Sequence, residues 1–276
     1  MKTKKKWWLA AALILLTILA AVSIGTNGIP VLNYHQINNR DHNALTVSTE
    51  QFAAQMQYLE DAGYHTITAG ELADALSGKT SLPDKPILIT FDDGYRDNYK
   101  NAFPILQEHH MKAMVFLISD YVSTYPNYLT WGEALEMQEH GIEFGSHTLN
   151  HVELNKLSST DEMLHQLKNS KEAIEWRLGT SVNFLAYPCG SYNDAVLAAT
   201  QDAGYRAAFT VQYGVDVPGA DLYSLNRIPV FGGNSHTLLR FKLRLRCPVL
   251  FATLGHWKKE LTAAGHTSLA KLIIIP

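Results

Sequence analysis

Cysteine is scarce in this chain: Cys189 and Cys247 are the only two. Two isolated thiols with no Cys-x-x-Cys spacing mark neither a disulfide framework nor a thiolate zinc site, and a single bridge between them stays open for an exported protein. Positive charge is also scarce. The chain has 23 basic and 26 acidic residues, and four of the lysines (Lys2, Lys4, Lys5 and Lys6) fall within the first six positions. Beyond residue 23 the balance is 19 basic against 26 acidic. Nucleic acid is thereby excluded as the main partner, because phosphate binding needs a basic face. Internal repeats and low-complexity linkers are absent, so beyond the N-terminal segment the chain reads as a single folded unit. Gly232-Gly233 reads as a flexible turn and not as a phosphate loop. With 46% apolar and only 18% charged residues, a full core is available and disorder is not the default.

The N-terminus is the one place with a long apolar run. Residues 7–24 are apolar except for Thr17 and Ser23, and the lysine cluster stands directly before them. This order of charge and apolar run reads as a signal peptide or a membrane anchor over residues 1–27. Either outcome predicts an extracytoplasmic protein, secreted or held at the cell membrane. Ala21-Val22-Ser23 offers a cleavage site of small residues.

From residue 28 onward short apolar runs alternate with amphipathic ones. The spacing predicts strands near 30–34, 64–68, 87–91, 113–118, 142–145, 183–187, 205–211 and 225–230. Helices are predicted between them, near 49–62, 69–76, 99–110, 131–140, 160–178 and 194–203. Alternation of this kind implies a parallel sheet with helical crossovers, and seven or eight units imply a (β/α) barrel rather than an open sheet. We expect a main domain over 28–245, with Asn234 or Ser235 capping a helix that carries Leu238, Leu239, Phe241 and Leu245. Residues 246–276 are expected to form an extension of unknown role. From His236 on, seven basic residues face a single acid, Glu260. That segment reads as a solvated outer helix and tail, or as a contact for an anionic wall or membrane surface.

Two short segments carry chemistry. Thr90-Phe91-Asp92-Asp93-Gly94 ends a buried strand, where adjacent carboxylates are costly unless they meet a cation or share a proton. Barrel sites are built at that end. Ser146-His147-Thr148-Leu149-Asn150-His151 ends another strand, and histidines at i and i+4 can converge on one ion from a helical turn. Two imidazoles and one carboxylate suit a catalytic divalent metal with open positions.

These two segments, followed by Ala186-Tyr187-Pro188-Cys189-Gly190, occur in the order seen in the polysaccharide deacetylase family. The chain resembles that family, the carbohydrate esterases with a NodB-type domain, over roughly residues 29–232, and the resemblance implies an α/β fold, a distorted (β/α) barrel. The resemblance implies Asp92 as general base and Asp93, His147 and His151 as metal ligands. It also implies that the backbone N–H of Cys189 contributes to an oxyanion hole. One divalent ion is implied, Zn²⁺ by default, with Co²⁺, Ni²⁺ or Fe²⁺ as alternatives.

Two departures follow. Ala186 stands where many members carry an arginine that orients the base, and Arg227 is the nearest candidate to replace it. The usual late strand ending in a catalytic histidine is not evident, although His236 and His256 exist. Pro30-Val31-Leu32-Asn33-Tyr34-His35 is similar to the subgroup that deacetylates poly-β-1,6-N-acetylglucosamine, in which the barrel order is permuted. An early histidine, here His35, then supplies the general acid. The expected partner is an N-acetylated polysaccharide outside the cell. Peptidoglycan, chitin oligomers or an O-acetyl ester are alternatives, and an inactive glycan-binding protein is a further one. Tyr128 and Trp131 are weaker candidates for stacking on a sugar.

Overall fold

The computed structural model describes residues 28–233 and 236–273. The apolar run of residues 7–24 lies outside them. Among the described residues no helix is long and apolar enough to cross a membrane.

The chain opens with β1 (Val31–Tyr34), a short pair β2 (Gln36–Ile37) and β3 (Thr46–Val47), and helix α1 (Thr49–Asp61). Next come β4 (His65–Thr66), α2 (Ala69–Leu76) and β5 (Pro86–Phe91). A π-helical turn at Asn98–Ala102 leads into α3 (Phe103–Glu108), followed by β6 (Ala113–Leu117), α4 (Trp131–Glu139) and β7 (Ile142–Ser146). The second half continues with α5 (Thr160–Leu178), β8 (Phe184–Ala186), α6 (Asp194–Asp202), β9 (Ala207–Tyr213) and β10 (Leu225–Pro229). Three helices end the described chain: α7 (Leu238–Arg246), α8 (Pro248–Ala263) and α9 (Thr267–Ala270).

The strands pair in parallel, in the order β1, β10, β9, β8, β7, β6, β5, β4. Because β1 pairs with β5 as well as with β10, seven strands close into a barrel and β4 hangs outside on β5. The first strand of the chain therefore sits between the last strand and β5, which is the permuted order the sequence allows for. The pairing of Gln36–Ile37 with Thr46–Val47 as a second small sheet was not foreseen.

Period-two alternation divides the barrel residues into two sets. Leu32, Tyr34, Ile87, Ile89, Phe91, Val115 and Ile228 join the core shared with the helices. Val31, Leu88, Met114, Phe116, Phe209 and Leu225 form a second cluster, joined by Leu72 and Leu76 of α2. Toward the C-terminal ends of the strands this second set turns polar: Asn33 follows Val31, Thr90 follows Leu88, and Arg227 follows Leu225. Hydrogen-bonding side chains are thus carried into the barrel on an apolar floor, just below the ends where a site can form.

Helix caps follow the sequence closely. Thr68 and Thr130 each form a capping box with a glutamate three residues on, and Gly179 closes α5 in a left-handed conformation. The cap of α7 is Thr237, not Asn234 or Ser235, which lie outside the described residues. Phe241, Leu245 and Phe251 of α7 and α8 are buried, so the chain continues as packed helix past the expected boundary at 245.

Gly145 shows how close the packing is beneath the site. A Cβ there would meet Phe116 at 2.6 Å and the Phe184 carbonyl at 2.9 Å. Gly145→Ala is therefore expected to destabilise the fold by about 1–3 kcal/mol through overpacking. Denaturant unfolding with an unchanged m-value would show this, and an unchanged midpoint would contradict it.

Candidate active site

Asp92 and Asp93 follow β5, and the chain reverses at once. Asp93 has φ 72° and Gly94 has φ 75°, both left-handed. A side chain at Gly94 would also strike Leu117 at 2.7 Å, so this turn needs glycine for its backbone and for its space. The reversal sends the two carboxylates in different directions.

Asp92 is directed into the barrel, with 2% of its side chain exposed, and meets Arg227, whose side chain is fully buried. The guanidinium grips the carboxylate with two bonds, Nη1 to Oδ1 and Nη2 to Oδ2, each 2.7 Å. Its Nε donates to the Thr210 carbonyl at 2.7 Å, and Nη1 also reaches Thr90 Oγ1 at 3.2 Å. Asn33 Nδ2 donates to Asp92 Oδ2 at 2.9 Å. Burial alone would raise the Asp92 carboxyl. The guanidinium, His147 and the hydrogen bonds from Arg227 outweigh it and hold the group well below the usual carboxylate range.

Asp93 turns toward the histidines. Its Oδ1 lies 3.4 Å from Nε2 of His147 and 3.4 Å from Nε2 of His151. One donor atom from each of the three residues falls within 4.8 Å of the others. Donors that are each about 2.0–2.1 Å from a tetrahedral ion stand about 3.4 Å apart, so the two short separations fit a shared metal. His147 Nδ1 is 2.7 Å from the Ala186 carbonyl. That contact fixes the tautomer in which Nδ1 donates and Nε2 is left to ligate.

The histidine pair is not on a helical turn. Residues 147–151 form a tight turn in which Thr148 (φ 66°) and His151 (φ 64°) are left-handed. The turn is pinned to β6 and the loop after it by His147 N–H to the Leu117 carbonyl (2.8 Å) and Ser119 N–H to the Thr148 carbonyl (3.2 Å). The ring centroids of the two histidines end 4.9 Å apart. The i, i+4 helical argument correctly pairs the residues but for the wrong backbone reason.

Electrostatics separate the two imidazoles. Burial acts to lower His147, but its hydrogen bond to Asp93 and the two aspartates raise it overall. His151 is lowered, first by burial and then by the neighbouring His147. Burial works against ionisation of Asp93, yet His147 holds that carboxyl down.

His35 follows β1 and is pushed down, mainly by burial and against the pull of Asp92 and Asp93. Its Nδ1 is buried with no hydrogen-bond partner among the described residues. Of the other histidines considered, His236 packs its ring 5.6 Å from Phe231 and His256 lies exposed on α8. Cys189 is the middle residue of the turn Pro188–Gly190 after β8, with φ 56°, exposed and with a free thiol that burial, Glu153 and Asp93 push up. Tyr128 stacks on Tyr95, with centroids 5.1 Å apart, in an aromatic rim that includes Tyr121 and Tyr125. Trp131 instead lies against the core at the start of α4, with Arg177 over its ring.

Asn33 was missed in the sequence. Its signal was a lone amide in an otherwise apolar strand, one residue from Tyr34-His35, and that pattern has no motif to mark it.

The family model for polysaccharide deacetylase matches residues 79–208. The polysaccharide deacetylase-family protein YxkH of Bacillus subtilis is 35% identical over 75% of this chain and 73% of its own length. The chain belongs to the polysaccharide deacetylase family and is a polysaccharide N-deacetylase. The poly-β-1,6-N-acetyl-D-glucosamine N-deacetylase of Staphylococcus epidermidis is 28% identical over 78% of this chain and 83% of that protein. Among solved structures, the deacetylase PplD of Streptococcus pyogenes in complex with acetate superimposes with a TM-score of 0.71 at 31% identity, over 74% of this chain and 92% of that one. IcaB of Ammonifex degensii gives 0.68 at 27%, over the same shares.

Two predictions follow from this geometry. Arg227→Ala leaves a buried carboxylate without its partner and is expected to cost about 3–5 kcal/mol of stability at neutral pH. A depressed carboxyl adds stability above its unfolded pKa and loses it as pH falls through the folded value. The penalty should therefore shrink in acid, when the orphaned Asp92 can take a proton; a pH-independent penalty would contradict the assignment. Second, an ion at the triad must displace the proton from His147. Because His147 is raised, calorimetry in buffers of different ionisation enthalpy should show up to about one proton released per ion near pH 6–7. His147→Ala should abolish that release.

Proposed function

We propose that this enzyme removes N-acetyl groups from poly-β-1,6-N-acetylglucosamine outside the cytoplasm, using one divalent ion at Asp93, His147 and His151. The observation that carries the reading is the pairing of a fixed, ionised Asp92 with a ligand triad of tetrahedral spacing. Two imidazoles and one carboxylate fit Zn²⁺, which we assign, and would also accept Co²⁺, Ni²⁺ or Fe²⁺. When bound, the ion supplies Lewis acidity to the acetamide carbonyl and lowers the pKa of a water.

The rest falls to the chain's own groups. Asp92 accepts the proton of the attacking water as the water oxygen bonds to the acetyl carbon. Its Oδ2 already takes two hydrogen bonds and Oδ1 takes one from the same guanidinium, so Oδ1 has the freer lone pair. Arg227 and Asn33 hold the carboxylate in place, which costs it basicity and gains orientation. The backbone N–H of Cys189 donates to the developing oxyanion. His35 gives a proton to the nitrogen as the C–N bond breaks, leaving acetate and a free amine on the sugar. The relatives that act by name on poly-β-1,6-N-acetylglucosamine support this polymer as substrate. The lysine-led apolar run of residues 2–24 supports export, by a cleaved signal or a retained membrane anchor.

The test is acetate release from poly-β-1,6-N-acetylglucosamine by the full chain in detergent, with and without chelator. Wild type should release acetate only when metal-loaded. His35→Ala should lose about 10²–10⁴-fold in kcat, while His236→Ala stays near wild type. Release from peptidoglycan, chitin oligomers or O-acetyl esters alone would overturn the substrate and keep the reaction class. No release from any of these would favour a glycan-binding protein.

A further inference from the structure

The chain is electrically divided. Residues 24–235 hold 12 basic residues against 25 acidic ones, whereas residues 236–273 hold seven basic residues and one acid. Exposed apolar side chains are also dense there: among the described residues, six of the twelve large ones lie in 236–273. Leu239 is 66% exposed, Leu243 40%, Val249 50% and Trp257 56%, all on α7 and α8.

On α7 these groups share one side. Phe241, Arg244 and Leu245 are buried against the barrel. At 100° per residue, Leu239, Leu243 and Arg246 come out together on the opposite side, flanked by Lys242 and Arg240. Two anchors fix this orientation. Phe241 meets the ring of Tyr58 edge-on at 6.2 Å, and the Tyr213 hydroxyl donates to the Arg244 carbonyl at 2.9 Å. Arg246 Nε reaches Tyr58 Oη at 3.2 Å, so its stem lies along the surface of α1. On α8, Val249 and Trp257 are exposed as well and stand about 80° apart, while Lys258 and Lys259 lie toward the side of the buried Phe251.

A purely solvated helix has no use for two outward leucines flanked by lysine and arginine. Leucine gains by entering the boundary between headgroups and acyl chains, and the flanking cations gain from anionic headgroups. We propose that the outer side of α7 forms a docking face for an anionic phospholipid surface. The acidic remainder of the barrel is repelled by such a surface, so the contact also fixes which side of the barrel turns away from it. This surface is independent of the deacetylase chemistry.

The full chain would be reconstituted into vesicles of phosphatidylcholine alone, and into a phosphatidylcholine–phosphatidylglycerol mixture. Hydrogen–deuterium exchange is then read on peptides spanning residues 238–263, with peptides from β5 to β7 as internal reference. Exchange in 238–263 should slow only in the anionic vesicles, and high salt should remove the effect. Each basic residue near an anionic surface counts for roughly fivefold in affinity. The double reversal Arg240→Glu with Lys242→Glu should therefore largely abolish protection. Leu239→Ser with Leu243→Ser, both outward-facing, should do the same while acetate release and the β5–β7 exchange stay as in wild type.

Equal exchange in both vesicle types would overturn the proposal. So would protection that survives the leucine changes and is reproduced by a soluble polyanion such as dextran sulfate, since that outcome means charge alone and no lipid contact. A loss of acetate release with intact lipid-dependent protection would strike the deacetylase reading and leave the docking face standing.

Discussion

The pairing of Arg227 with Asp92 is the constraint around which the site is arranged. The arginine comes from β10, and the aspartate follows β5. They can meet only because β1 lies between these two strands and closes the barrel. A buried guanidinium needs its donors filled, and the structure fills them with Thr210, Thr90 and both oxygens of Asp92. Asn33 on the intervening strand adds a further bond to the same carboxylate. Closing the barrel, hiding the charges and aiming the carboxylate are one arrangement, so disturbing any of the three disturbs the others.

Backbone strain gathers around this centre. Seven described non-glycine residues have positive φ, and Asp93, Thr148, His151 and Cys189 are four of them. Such conformations cost about 1–3 kcal/mol each and persist where the surroundings over-determine them. Here the surroundings are the ends of β5, β7 and β8, whose packing fixes where each turn begins. The left-handed turns bring a carboxylate from one strand and two imidazoles from another to a common point. Regular helix or strand at these positions would carry the same side chains apart.

Much of this was legible in the sequence. Local runs with strong period and clear caps, such as Thr160–Leu178 with Gly179 behind it, carry their structure in their own residues. The pairing of Asp92-Asp93 with His147 and His151 was legible because each set stands at the end of a buried strand. Arg227 emerged only because Ala186 leaves an arginine wanting, and its two bonds to Asp92 depend on contacts across 135 positions of chain. Asn33 was not legible, since one amide in a strand of Val31, Leu32 and Tyr34 has no local reason to be there. The helix at Pro248–Ala263 was not foreseen either, because its burial is confined to few residues and its apolar positions face outward as well as inward.

The central physical claim is that Asp92 is held ionised by Arg227 at the heart of the site. Carboxyl ¹³C NMR of aspartate-labelled protein, assigned by comparison with Asn33→Ala and Arg227→Lys, measures it directly. The account predicts an Asp92 signal that does not move as pH falls through the ordinary carboxylate range near 3.9. It also predicts that Arg227→Lys brings the titration upward. An Asp92 signal that titrates at or above the ordinary value in wild type would contradict it.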